Sequence, residues 1–329
     1  MSDFDTIATV PHRQGRPRLD ELRRRVGKPA GDHFGNWMAR RIARPLALRI
    51  TWVIAPWPVS AHAATLAALF AALASSAAFA TGSTWGWMVG AVLWQLWYLL
   101  DHVDGQLARL HGSASLDGVT FDYLMHHLVN VTVPCSIGFG LSMWGAEPLW
   151  FFVGLAWAMG LLTIGVHHDA RYKAFIQRLK WVQGELRVRG AGGFAPAAAT
   201  QRPRALWRLV RWLFAKACEP HVVMNLVTGA SVATHLFDDT GLTLGRATAT
   251  ILAAVAVAVA AARLSRALRD ESAEREFARW FQPPPGHDLI YREGRWYSVP
   301  VKRADELAST TRAVPATSSA VGATSAIDS

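Results

Sequence analysis

The sequence predicts an all-α, polytopic membrane protein: six transmembrane helices preceded by an N-terminal amphipathic interfacial helix. Three observations predict it. Apolar residues make up 51% of the chain and charged residues only 18%, and the apolar ones gather into long runs, as they do when a bilayer is the solvent. Lys and Arg collect in alternate connections between those runs. Trp85, Trp87, Trp144 and Trp150 stand near run ends, where aromatic belts form.

Each element follows in order. Residues 1–33 form a polar, Arg-rich tail, expected to be mobile and unlike a secretory signal peptide. Over residues 34–50, Phe34, Trp37, Met38, Ile42 and Leu46 recur at helical spacing. Arg40, Arg41, Arg44 and Arg49 fill much of the remainder, which reads as a helix lying in the membrane surface. Six spans follow, at 60–81, 84–108, 119–141, 148–168, 221–237 and 243–263. About 20 residues cross a hydrocarbon core, so the fifth span is short. Residues 190–201 are Gly- and Ala-rich and read as a flexible loop, and 204–217 as a second basic amphipathic helix. The domain organisation is therefore the tail 1–33, a membrane domain 34–265 and a C-terminal tail 266–329. From about 281 that tail runs through Pro283-Pro284-Pro285 and a Tyr291, Trp296 and Tyr297 patch and ends in a Ser/Thr/Ala stretch expected to be disordered. No internal repeat is visible.

An even number of spans puts both termini on one side. The connection 169–218 then shares that side and holds Arg171, Lys173, Arg178, Lys180, Arg187, Arg189, Arg202, Arg204, Arg208, Arg211 and Lys216. The connections on the opposite side hold Arg246 as their one basic residue. Positive charge marks the cytoplasmic side, so both termini are expected there. The formal charge of +10 is accounted for by anionic membrane lipids beside the hydrophobic runs. No basic–aromatic module appears, which argues against a nucleic-acid partner. Cys135 and Cys218 build neither a disulfide framework nor a metal-type pair.

One stretch carries chemistry. From Leu100 the chain reads LDHVDGQLARLHGSASLDGVTFDYLMHH. Asp101 and Asp104 share a helix face, and Asp122 opens the next span after a short turn. Three carboxylates thus meet at a membrane boundary, where ionisable groups are costly and mark function. Taken singly each has a plain structural reading: a solvated cap, or for Asp122 a first-turn acid, with Gly105 a helix-packing contact. Together they need a cation, and oxygen ligation suits Mg²⁺ or Mn²⁺ with a phosphate co-ligand. Gly105, Ala108 and Gly118 leave room for a ligand against the backbone, and Arg109 can neutralise phosphate.

The run Asp101, Asp104, Gly105, Ala108, Arg109, Gly118, Asp122 resembles the signature Asp-x2-Asp-Gly-x2-Ala-Arg-x8-Gly-x3-Asp-x3-Asp of the CDP-alcohol phosphotransferases, with the likeness in spans covering about 34–265. The resemblance implies a homodimeric membrane enzyme holding a pair of Mg²⁺ or Mn²⁺ ions on Asp101, Asp104 and Asp122. It implies Gly105, Ala108, Arg109 and Gly118 on a CDP-linked donor, and attack by the hydroxyl of a lipid or polar alcohol with release of CMP. The expected setting is a bacterial-type inner (plasma) membrane, with the site cytoplasmic.

The chain departs from the signature at its last position, where the family's Asp is His126, as in a subgroup that carries His there. One turn beyond Asp122, His126 is the candidate general base for the acceptor hydroxyl. His127 is rotated by about 100° and reads as a packing or interface residue. His168, Arg171 and Lys173, where the fourth span ends, and His221 and Asn225, opening the fifth, are weaker substrate-binding candidates. Two other readings stand beside the transferase: a catalytically weak or inactive lipid- or nucleotide-binding homologue, resting on His126, and a cation-coupled transporter. The transporter would place acids near the midplane or on several spans.

Overall fold

The computed structural model describes residues 18–27, 36–188, 209, 212–214, 216–237, 239–292 and 294–301. The Gly/Ala-rich stretch 190–201, the start of the N-terminal tail, Phe34 and the chain from 302 lie outside the described residues. Of the expected helix 204–217, residues 209, 212–214, 216 and 217 are described and are helical.

Helices stand at all six expected places: α3 (Ala61–Ala80), α4 (Thr84–Leu110), α5 (Leu116–Leu141), α6 (Pro148–Lys180), α7 (Pro220–Leu236) and α8 (Thr243–Arg269). Before them come α1 (Leu19–Val26), a π-helical turn (Ala39–Ala43) and α2 (Arg44–Ile54). Four of the six, α3, α5, α6 and α8, are long and apolar enough to cross a membrane. Helix α4 carries Gln95, Asp101, Asp104 and Arg109, and α7 has 17 residues. The chain divides into two compact units, one of residues 1–168 and 200–266, the other of 169–199 and 267–329.

In the first unit, side-chain caps fix where helices begin. Ser60 accepts from the Ala63 N–H (3.1 Å), Ser83 from Gly86 (3.0 Å) and Ser115 from Gly118 (3.1 Å), each satisfying a donor the helix leaves open. The turn between α3 and α4 needs Gly82, whose φ of +65° and closeness to the Gly140 carbonyl leave no room for a Cβ. Phe79 then meets Trp87 and Trp94 edge-on at 5.6 and 6.3 Å. Trp87 is therefore a core residue, 1% exposed, and not part of an aromatic belt; it packs against Gly245. Trp85 and Trp144 remain exposed, as the belt reading expects.

The interfacial helix has two apolar faces. Trp37, Ile42 and Leu46 are exposed, while Ala39, Ala43 and Ala47 are buried at i, i+4 spacing. Gln106 of α4 holds α2 by accepting from Thr51 Oγ1 (3.0 Å) and donating to the Arg44 carbonyl (3.3 Å). Helix α1 is not a free tail: Leu22 is fully buried and Val26 nearly so. Small residues bring spans close, as in membrane packing generally. A Cβ on Gly138 of α5 would fall 2.7 Å from the Gly154 Cα of α6, and one on Gly160 2.8 Å from Ala256. His127 packs on Gly165, the structural role expected of it.

The second unit replaces part of the expected C-terminal tail. Helix α6 continues past 168 to Lys180, and its last turns pack with α9 (Ser272–Trp280) through Phe175, Phe277 and Phe281. Arg171 pairs with Glu276 and Arg178 with Glu274. The Arg178 guanidinium holds the Glu274 carboxyl below its ordinary range and lies 4.1 Å over the Trp296 ring. Strand β4 (His287–Arg292) pairs antiparallel with β5 (Arg295–Pro300), which also takes β1 (Val182–Gln183) in parallel. Strands β2 (Arg187–Val188) and β3 (Phe281–Gln282) form a second, antiparallel pair. The Tyr291 and Trp296 patch is a cross-strand pair, 5.1 Å between rings.

Replacing Gly154 by Val is expected to lower the thermal midpoint of the purified protein, by about 1–3 kcal/mol of overpacking. An unchanged midpoint in a detergent thermal-shift assay would contradict the close approach of α5 and α6.

Candidate active site

Helix α4 delivers Asp101 and Asp104 in its last turns, and α5 delivers Asp122 and His126 one turn apart in its first. Between them Gly112, at φ +62°, and the Ser115 cap reverse the chain. The acids and the imidazole consequently face one another from antiparallel helices.

His126 Nε2 lies 3.1 Å from Asp101 Oδ1 and 3.3 Å from Asp122 Oδ1. Asp101, Asp122 and His126 bring one ligand atom each within 4.8 Å of one another. His102 Nδ1 is 3.7 Å from the other oxygen of Asp101. Trp97, almost wholly buried, sets its ring edge-on to the His126 imidazole at 5.4 Å. Asp104 stands outside that cluster of three: its Oδ2 accepts from Thr65 Oγ1 of α3 at 2.8 Å.

Trp97 apart, these groups line a cavity of about 860 Å³. All eight signature positions, Asp101, Asp104, Gly105, Ala108, Arg109, Gly118, Asp122 and His126, are on its wall. Gly105 lies beneath the Arg109 guanidinium, whose Nη1 would be in ordinary contact, at 3.4 Å, with a Cβ there. Arg109 Nε donates to the Val26 carbonyl at 2.6 Å.

The weaker candidates are placed elsewhere. His221 is buried beside Glu219, 3.5 Å away, and does not line the cavity. Asn225 accepts from Gln95 Nε2 (3.1 Å) and donates to Met38 Sδ (3.3 Å), so it ties helices together. His168 does not line the cavity. Arg171 and Lys173 belong to the second unit, where Arg171 is paired with Glu276. The sequence reading missed Thr65, His62, Trp97, and Arg23, Arg40, Arg44 and Arg49, of which all but Trp97 line the cavity.

Two carboxylate oxygens converging from two helices suit a hard divalent ion, and the imidazole nitrogen beside them suits Mn²⁺ better than Mg²⁺. Asp104 keeps a carboxylate oxygen that Thr65 does not use. The donor chemistry therefore accepts Mg²⁺ or Mn²⁺.

Residues 59–182 match the sequence model of the family described as CDP-alcohol phosphatidyltransferase. This segment is a CDP-alcohol phosphatidyltransferase domain. It encloses the whole acid and histidine constellation, and its class is that of a membrane transferase of phosphorus-containing groups. Among the solved structures that are similar in part are two of the Mycobacterium tuberculosis phosphatidylinositol phosphate synthase. The structure with CDP-DAG bound is 16% identical, covering 71% of this chain and 96% of that one at a TM-score of 0.47. The complex with manganese and citrate is 17% identical, covering 69% and 91% at a TM-score of 0.46. No curated protein sequence matches the chain.

Asp101→Asn and Asp122→Asn are each expected to weaken Mn²⁺ binding about tenfold or more, read by electron paramagnetic resonance titration of free ion. Full affinity in both variants would show that the ion, if bound, sits elsewhere.

Proposed function

We propose that the cavity transfers a substituted phosphate from a CDP-linked donor, either CDP-diacylglycerol or another CDP-alcohol, to the hydroxyl of a lipid or polar alcohol. CMP is released, and phospholipid or related lipid synthesis is served. The observation that carries the reading is the convergence of Asp101, Asp122 and His126 in one cavity inside the CDP-alcohol phosphatidyltransferase segment.

The roles follow from the chemistry of each group. Mg²⁺ or Mn²⁺, when bound, supplies electrostatic stabilisation of the donor's phosphate oxygens. Asp101 and Asp122 hold that charge, and Asp104, oriented by Thr65, completes the acidic face. Gly105, Ala108 and Gly118 offer a surface without side-chain bulk to the cytidine nucleotide, and Arg109 faces its phosphates. His126 Nε2 accepts the proton of the acceptor hydroxyl. The oxygen then bonds to the donor's β-phosphorus, and the bond from that phosphorus to the bridging oxygen breaks, with CMP as leaving group. Trp97 walls the imidazole on its apolar side. The active site faces the cytoplasm in this reading, since the basic connections assign that side to the α4–α5 turn.

Asp104→Asn is expected to abolish Mg²⁺- or Mn²⁺-dependent CMP release, assayed with both donor classes and an acceptor panel. His126→Ala is expected to slow turnover at least a hundredfold while leaving CDP affinity nearly intact. Unchanged CMP release in the Asp104 variant would sink the mechanism. Loss of CDP binding in the His126 variant would make that residue a metal ligand instead of a base.

A further inference from the structure

Helix α1 lies outside the matched segment 59–182 and within what composition reads as a tail, yet it forms part of the cavity wall. Leu22 is fully buried and Val26 is 5% exposed, so α1 is docked and not merely adjacent. Its final carbonyl, Val26 O, accepts from Arg109 Nε at 2.6 Å. The carbonyl end of a helix is its negative pole, which favours a cation placed there.

The choice of nitrogen matters. A guanidinium offers two edges, one formed by Nε and one Nη, the other by the two Nη nitrogens. With Nε bound to Val26, rotation about the terminal side-chain bonds is restrained. Both Nη atoms then lie over Gly105, 3.4 and 3.8 Å from where a Cβ on that residue would be. The Nη edge thus stands beside Gly105, one of the positions assigned above to the nucleotide pocket. A fork held in this way is prepared to bind a phosphate through two parallel hydrogen bonds, with little ordering left to be done at binding.

We infer that α1 is a positioning element of the active site: its Val26 carbonyl orients Arg109 so that the Nη edge grips a phosphate of the CDP-linked donor. The inference rests on the proposed transfer function for the donor's identity, while the geometry of Arg109 stands independently of turnover.

The test uses the full-length protein in non-ionic detergent, with CDP and Mn²⁺ as the probes. Leu22→Asp undocks α1, and Arg109→Lys removes the fork while keeping the charge. Each is expected to weaken CDP binding at saturating Mn²⁺ by about tenfold, to leave Mn²⁺ affinity unchanged and to raise the donor KM more than it lowers kcat. The double variant should be no worse than the single ones, because both remove the same interaction. Arg24→Gln, on the exposed side of α1, should behave as wild type. Additive losses, or Leu22→Asp with CDP affinity intact, would overturn the inference. Should Leu22→Asp fail to fold, Arg109→Lys decides alone: unchanged CDP affinity, or an equal loss of Mn²⁺ affinity, refutes it. A protein that meets all these binding expectations but releases no CMP with any acceptor would refute the transfer reading and still support the placement of Arg109.

Discussion

Asp101 and Asp122 are held one imidazole apart, on opposite helices at the end of a largely apolar bundle. Two carboxylates brought this close repel each other, and the arrangement persists only if something positive or hydrogen-bonding stands between them. His126 Nε2, at 3.1 and 3.3 Å from the two acids, fills that place. Much of the surrounding architecture keeps those three groups in reach: the Gly112 reversal, the Ser115 cap that starts α5 in the right phase, and the Trp97 ring behind the imidazole.

The same atom is asked for two things. As an N–H donor, Nε2 bridges the acids; as a lone-pair acceptor, it takes a proton or joins them around a cation. A His at the last position of the signature that the chain resembles would therefore not simply remove a ligand. It exchanges one negative charge for a group that can be neutral or positive, and relieves the repulsion among the remaining carboxylates. Asp104 is managed differently, by a neutral hydroxyl from Thr65. The cavity thus separates a histidine-bridged pair of acids from a third acid held by α3.

Much of this was legible because helical geometry is local. Spacings of three and four residues placed Asp101 with Asp104 and Asp122 with His126 on shared faces, and span limits agreed with the observed helices to within a few residues except at α5's start and where α6 and α8 run on. What the sequence hid is what depends on distant partners. Arg171 reads as a weak substrate-binding candidate and Arg178 as one charge of a basic connection, but their partners Glu276 and Glu274 lie about a hundred residues further along. Trp87 has the composition of a belt residue and becomes core only because Phe79 and Gly245 surround it. Asn225 has the right chemistry for a pocket, yet Gln95 and Met38 claim it. In α1 the charged residues outweigh Leu22 and Val26 in any average, although those two decide that it docks.

In the proposed mechanism one cavity brings the acid and histidine cluster and the donor's phosphates together around bound divalent metal. Electron–nuclear double resonance of ³¹P on the full-length protein, loaded with Mn²⁺ and a CDP-linked donor, measures this directly. The account predicts hyperfine coupling from donor phosphorus to the bound Mn²⁺ in the wild type, and its loss in Asp122→Asn. Mn²⁺ and donor both bound to the wild type without ³¹P coupling would contradict it.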